Sequence, residues 1–190
     1  MTTVPVQERM TADEFLSIPY GELPRFSELV DGEVIVNEAS PHHSVVQGNL
    51  YYAFRRWMSA SPGRGQVFTP IDVAMDERNV FGPDLSWYSA RNSLDLDSPG
   101  PSGRPDLAAE VRSPSTWRYD IGAKKTTYER LGLPELWLVD TPAEEVLVFR
   151  RLTPGSTSFD LTLELGRGEA LESPLLPGFR LALDELFDLT

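Results

Sequence analysis

The sequence predicts an α/β or α+β fold built around a mixed β-sheet. Three observations predict it. Asp31-Gly32 stands between two short apolar runs, a strong hairpin signal near the start. The middle of the chain reads strand, helix, strand. Two further apolar runs, 136–139 and 146–149, follow as a second strand pair. No internal repeat and no linker separates two cores, so residues 1–190 are expected to form one domain.

Each element has a local cause. Thr11-Ala12-Asp13-Glu14 is a capping box that opens a short helix running to about Ile18. Phe26–Val30 and Val34–Val36 flank the Asp31-Gly32 turn. Ser40-Pro41 pairs an N-cap with proline at the first helical position, and Val46, Leu50, Phe54, Trp57 and Met58 then recur at helical spacing until Pro62-Gly63. Residues 66–75 suit a strand, 76–82 a turn and 85–88 a second strand. Residues 89–105 are rich in Ser, Pro, Gly and Asp without a period, the composition of a surface loop. A strand over 106–112 hands over through Ser113-Pro114-Ser115-Thr116 to a helix from about Trp117 to Leu131, closed by Gly132. Residues 159–165 alternate apolar and polar, and 184–187 form a short final helix.

Composition removes several chemistries. There is no cysteine, hence no disulfide, no thiolate zinc site and no thiol nucleophile, as suits a reducing cytoplasm. His42 and His43 are the only histidines, too few for a three-histidine zinc centre. No apolar run approaches the ~20 residues of a membrane span, and Met1 to Arg9 lack the pattern of a signal peptide. A cytoplasmic location without membrane contact is the expectation. The net charge of −12 argues against a nucleic-acid partner, because phosphate contacts come mainly from lysine and arginine. Net charge describes the whole surface, whereas binding uses one face.

The residues that suggest chemistry are Asp84, Glu110 and Lys124. Two carboxylates that converge can hold a magnesium-sized cation, since hard cations take oxygen ligands. A lysine beside them can steady the charge of an attacked phosphodiester. Side-chain alternation puts Ala108, Glu110 and Arg112 on one strand face and Leu107, Ala109 and Val111 on the other. Asp120, Lys124 and Tyr128, spaced by four, share a helix stripe. Blander readings stand beside these. Asp84 after proline is commonly a turn former, Glu110 can be a salt-bridged strand residue, and Lys124 can be the helical partner of Asp120. Arg112 either holds a substrate phosphate or neutralises Glu110. His43, in the first turn of its helix, is a packing or exposed residue unless it faces substrate. Tyr128 is expected in the core or supporting the site.

At these residues the sequence resembles a PD-(D/E)XK nuclease, and within that superfamily the Uma-type family of proposed restriction endonucleases, across about residues 11–188. The matching segments are Glu28-Leu29-Val30-Asp31-Gly32-Glu33, Ser40-Pro41-His42-His43, Pro83-Asp84-Leu85-Ser86 and Glu110-Val111-Arg112-Ser113-Pro114-Ser115-Thr116. They continue through Asp120, Lys124 and Tyr128 to Glu135-Leu136-Trp137-Leu138-Val139-Asp140 and Leu176-Pro177-Gly178-Phe179. The resemblance implies a restriction-endonuclease-like fold, a central mixed sheet flanked by helices. It implies Asp84 and Glu110 as metal ligands, with Glu28 as a third acid. The superfamily's lysine normally stands two residues after the second acid, where this chain has Arg112; Lys124 fits the helical position to which that lysine has moved. The general base is then Lys124 or a metal-activated water.

The expected function is Mg²⁺- or Mn²⁺-dependent hydrolysis of DNA by an endonuclease, for which a homodimer would give a natural way to cut both strands. The rival is a nuclease-fold binding or regulatory module that does not cleave, favoured by the acidic surface and by Arg112. RNA or a nucleotide as substrate is a third reading.

Overall fold

The structure, a computed structural model, describes residues 9–19, 21–98 and 100–190. The stretch read for a signal peptide lies almost wholly outside the described residues. A short helix, α1 (Ala12–Leu16), opens with the expected capping box: Thr11 Oγ1 accepts from the Glu14 amide and the Glu14 carboxylate accepts from the Thr11 amide. Strands β1 (Ser27–Val30) and β2 (Glu33–Val36) pair antiparallel. Asp31 and Gly32 both have positive φ, +50° and +77°, as a two-residue hairpin turn of this twist requires. A Cβ on Gly32 would lie 2.5 Å from Arg9 Cβ and 2.9 Å from Met10 O. Gly32→Ala should therefore cost about 2 kcal/mol from conformation and crowding together, read as a fall in the urea midpoint with an unchanged m-value.

Helix α2 (Pro41–Ser59) begins where Ser40-Pro41 predicts it, with Ser40 Oγ accepting from the His43 amide. The expected strand 66–75 is two strands. β3 (Gln66–Phe68) and β4 (Val73–Asp76) belong to different sheets. Pro70, which has no amide proton to give a ladder, lies in the break between them. The expected turn 76–82 contains a strand, β5 (Asn79–Phe81), which pairs with β4 and β1. Asn79 fixes this corner by donating to Asp76 Oδ1 at 2.8 Å and accepting from the Asp31 amide at 2.9 Å. β2, β1, β5 and β4, in that order, form a small four-stranded sheet.

The larger sheet has six strands, ordered β10-β9-β8-β7-β6-β3. Its members are β6 (Leu85–Tyr88), β7 (Leu107–Val111), β8 (Glu135–Asp140), β9 (Glu145–Arg150) and β10 (Leu161–Leu165), with β3 at one edge. Only β7 and β8 are parallel, so the sheet is mixed as expected. The β7–β8 crossover carries one helical run, α3 (Trp117–Tyr119), a π-turn over Asp120–Lys124 and α4 (Lys125–Arg130). The helix read over 117–131 is therefore present, but with a widened turn at Lys124. Such bulges recur at functional sites. The short pair β11 (Ala170–Leu171) and β12 (Leu181–Ala182), not anticipated, precedes α5 (Leu183–Leu186).

The two faces of the large sheet bury different things. Leu107, Ala109 and Val111 point to one face and pack with Val46, Leu50, Phe54 and Trp57 of α2. The Leu176–Phe179 segment closes that side: the ring centres of Phe179 and Phe54 lie 4.9 Å apart, and Trp57 donates its indole N–H to Pro177 O. Ala108, Leu136 and Leu138 point to the other face, against Val30, Val73 and Phe81 of the small sheet and Tyr128 of α4. Glu110 shares the parity of Ala108 and enters this second layer, between the two sheets and the crossover helix. Among the described residues no helix is long and apolar enough to cross a membrane.

Candidate active site

Register brings the two acids together. β6 and β7 pair Leu85 with Ala109 and Ser86 with Ala108, so the next step of the ladder sets Asp84 beside Glu110. Asp84 turns its carboxylate toward the end of β7, where Oδ2 accepts from the Val111 amide at 2.7 Å. Its own carbonyl accepts from the Gln47 side chain of α2 at 2.8 Å. His43, also on α2, presents Nε2 at 3.1 Å from Asp84 Oδ2. Neither ring nitrogen of His43 has an aligned hydrogen bond among the described residues, although the side chain is buried. His43 thus faces Asp84 and is not an exposed residue.

Lys124 is the hub of the other acids. Its ammonium lies 2.8 Å from Glu110 Oε1, 3.0 Å from Glu28 Oε1 and 3.2 Å from Asp120 Oδ1. Glu28 reaches inward from β1 and also accepts from the Gly82 amide at 2.6 Å; it is not an outward strand residue. Tyr128 donates its hydroxyl to Glu110 Oε1 at 2.7 Å. Asp120 is braced from behind, where Thr116 Oγ1 donates to Oδ2 at 3.1 Å and Ser113 Oγ lies 2.7 Å from Thr116 Oγ1. The predicted stripe of Asp120, Lys124 and Tyr128 is therefore real, and all three converge on one carboxylate system.

Arg112 does not neutralise Glu110, one of the two alternatives weighed for it. Its guanidinium donates to both oxygens of Asp140, at 2.9 and 2.8 Å, and lies over the Trp117 ring. Lys124, not Arg112, neutralises Glu110. The reason is placement: Arg112 follows the last residue of β7, and its amide donates to Val139 O, which directs the side chain along β8 toward Asp140.

The electrostatics follow from four buried acids and one buried lysine. Burial pushes the Glu110 carboxyl well up; Lys124 pulls it down, while Asp120, Glu28 and Asp84 repel its charge. Asp120 is pushed up to about 6, by burial first, against the pull of Lys124. For Lys124, burial alone would favour loss of the proton, but Glu110, Glu28 and Asp120 outweigh it and hold the ammonium well above its usual range. Lys124 accordingly keeps its proton and faces the three acids as an ammonium. Burial and the Glu110 charge likewise keep the Tyr128 hydroxyl protonated.

A stability prediction follows from Asp120. Its folded-state value exceeds the unfolded one, so the folded protein keeps a proton that the unfolded chain releases above about pH 4. The Asp120 contribution is fully present below that pH and is lost as pH rises through about 6. Subtracting the urea-unfolding free energy of Asp120→Asn from that of the parent should give a difference that shifts against the parent between pH 4 and 6. A flat difference would contradict the raised carboxyl.

The acids fit a hard divalent cation in chemistry and charge. All donors are carboxylate oxygens, the acids outnumber the cation among them, and the buried nitrogens of His43 lack aligned partners. Among the described residues no three His, Asp or Glu side chains form a ready cage; Lys124 lies between Glu28 and Glu110, 3.0 and 2.8 Å from their carboxylates. A cavity of about 690 Å³ opens onto this centre, with Glu28, Asp84, His43, Gln47 and Asp72 on its wall. Sequence reasoning missed Gly82, Asp72 and Thr116. Thr116 was findable, because it continues the four-residue spacing of Asp120, Lys124 and Tyr128.

The chain resembles a solved structure of a protein described as a putative nuclease belonging to DUF820 from Anabaena variabilis. The two share 19% identity, the match covers 94% of this chain and 97% of that one, and the TM-score is 0.76. At this identity the likeness shows the fold alone, a mixed sheet flanked by helices. No curated protein matches the chain. The model of the Uma2 family, described as putative restriction endonuclease, matches residues 12–184, and the chain accordingly belongs to that family.

Proposed function

We propose that this protein is a Mg²⁺- or Mn²⁺-dependent endonuclease that hydrolyses DNA phosphodiester bonds at the Asp84–Glu110 centre. The observation that carries this reading is the convergence of Asp84, Glu110 and Lys124 from three separate segments onto one buried site beside a cavity. Asp84 and Glu110 would hold the cation, with Glu28 joining when its pairing with Lys124 loosens. A bound cation lowers the pKa of a ligand water and offsets charge on the scissile phosphate. The chain's own residues supply the rest. Lys124 carries a fixed positive charge to the site and can donate to the phosphate oxygens as negative charge builds. Tyr128 orients Glu110, Thr116 orients Asp120 and the Val111 amide orients Asp84. His43 and Arg112 are the nearest candidates for contact with substrate, His43 from the cavity wall and Arg112 from the end of β7. A cytoplasmic setting and a two-strand cut by a homodimer belong to the same proposal.

One observation favours a module that does not cleave: Lys124 and Glu110 are each 2% exposed, and neither lines the cavity. Incubation of the pure protein with plasmid and oligonucleotide DNA separates the readings. Nicking or cutting with Mg²⁺ or Mn²⁺, absent in EDTA, is the expected result. Intact DNA under every condition, together with no heat of Mn²⁺ binding, would leave only the non-cleaving module.

A further inference from the structure

The segment leading into β1 carries a strained residue on the wall of the same cavity. Phe26 has φ +59°, a left-handed conformation costly to a residue with a Cβ, and its ring is 55% exposed, so burial does not repay the strain. Its backbone is held in place. Phe26 O accepts from the Asn37 amide at 3.0 Å, and Ser27 Oγ donates to Pro24 O at 2.8 Å. The guanidinium of Arg25 lies 5.4 Å from the centre of the Phe26 ring. Arg25 pairs with no carboxylate among the described residues. Arg25 and Phe26 line the cavity with Glu28 and Asp84. Glu28 follows Phe26 by two residues, about 7 Å of extended chain.

An exposed aromatic ring beside an unpaired guanidinium has the chemistry of a nucleobase platform: the ring stacks on a base and the arginine takes a neighbouring phosphate. The charge of the chain bears on which form of nucleic acid suits it. At a net charge of −12 the protein has little capacity to gain affinity by neutralising many duplex phosphates, so stacking must supply more of it. Bases within a duplex are already stacked and present no free face. We propose that Phe26, backed by Arg25, stacks on an unpaired base and makes single-stranded or frayed nucleic acid the preferred ligand of this cavity. The proposal rests on the nuclease reading for its class of substrate, and the left-handed backbone serves to aim the ring into the cavity.

Binding is measured on the full chain in EDTA, where no hydrolysis occurs, by anisotropy of labelled single-stranded DNA, single-stranded RNA and blunt duplex of one sequence. Single strands should bind at least about 10-fold tighter than duplex. Phe26→Ala should lose about 10- to 100-fold of single-strand affinity, while Phe26→Tyr keeps it. Arg25→Ala should lower the slope of log affinity against log salt by about 0.7. Fluorescence of a 2-aminopurine strand should be quenched by the parent and not by Phe26→Ala, a change that a merely structural phenylalanine would not produce. The DNA and RNA arms show which sugar accompanies the stacked base. Unchanged affinity in a folded Phe26→Ala, or no binding of any single strand, would overturn the proposal. Cleavage is assayed separately with Mn²⁺: a protein that cuts duplex but ignores Phe26 retires only the platform, and one that stacks a strand but never cuts retires only the nuclease.

Discussion

Asp84→Ala and Glu110→Ala proteins should cleave DNA at least about 1000-fold more slowly than the parent, with Mg²⁺ or Mn²⁺ present. Losing one of two cation ligands removes several kcal/mol of charge stabilisation in the transition state, and each 1.36 kcal/mol is tenfold in rate. The two residues also have structural partners, so each needs a gentler companion. Asp84→Asn keeps an oxygen to accept from the Val111 amide. Glu110→Gln keeps an oxygen for the Tyr128 hydroxyl. Both companions should fold with near-parent circular dichroism and still lose cleavage. Residual cleavage within tenfold of the parent in either would remove that residue from the cation site.

The second large effect is expected at Lys124. Lys124→Met keeps most of the unbranched side chain and deletes the charge that Glu28, Glu110 and Asp120 share. Removing one member of a buried ionic network typically costs about 3–5 kcal/mol, because the survivors are left charged and unpaired or must take up protons. For a chain of this size that corresponds to a fall in Tm of roughly 10 °C or more. The loss should be smaller at pH 5 than at pH 8, since protonated carboxyls no longer need the ammonium. Added Mn²⁺ should raise the Tm of Lys124→Met by more than it raises the parent's, because the cation then meets acids without a competitor. A Tm within 2 °C of the parent's at pH 8 would mean that the network contributes little to stability.

Much of the fold was legible because its signals are local. Ser40-Pro41 and the spacing of Val46, Leu50, Phe54 and Trp57 specify α2 without reference to anything distant. The Asp31-Gly32 turn likewise declares the β1–β2 hairpin. The strand read across 66–75 went wrong because apolar residues on both sides of Pro70 look continuous, while the chain uses the proline to pass from one sheet to the other. β5 and the β11–β12 pair are two or three residues long, too short for a period to show. Within the site, the Asp120, Lys124, Tyr128 stripe is readable from spacing alone. The partner that completes it is not: Glu28 stands 96 residues from Lys124, and only the packing of the small sheet on the large one brings them together. Arg112 shows the reverse error, where strand parity aimed it at Glu110 but the end of β7 freed it to follow β8 to Asp140. Phe26 carried no signal at all, since its meaning lies in a backbone angle and an open cavity.

Anomalous scattering from crystals soaked in Mn²⁺ shows whether Asp84 and Glu110 share a divalent cation. A peak is expected within coordination distance of one oxygen from each of the two acids, lost in Glu110→Gln. Mn²⁺ density confined to surface carboxylates, with the Lys124 ammonium still seated against Glu110, would contradict it.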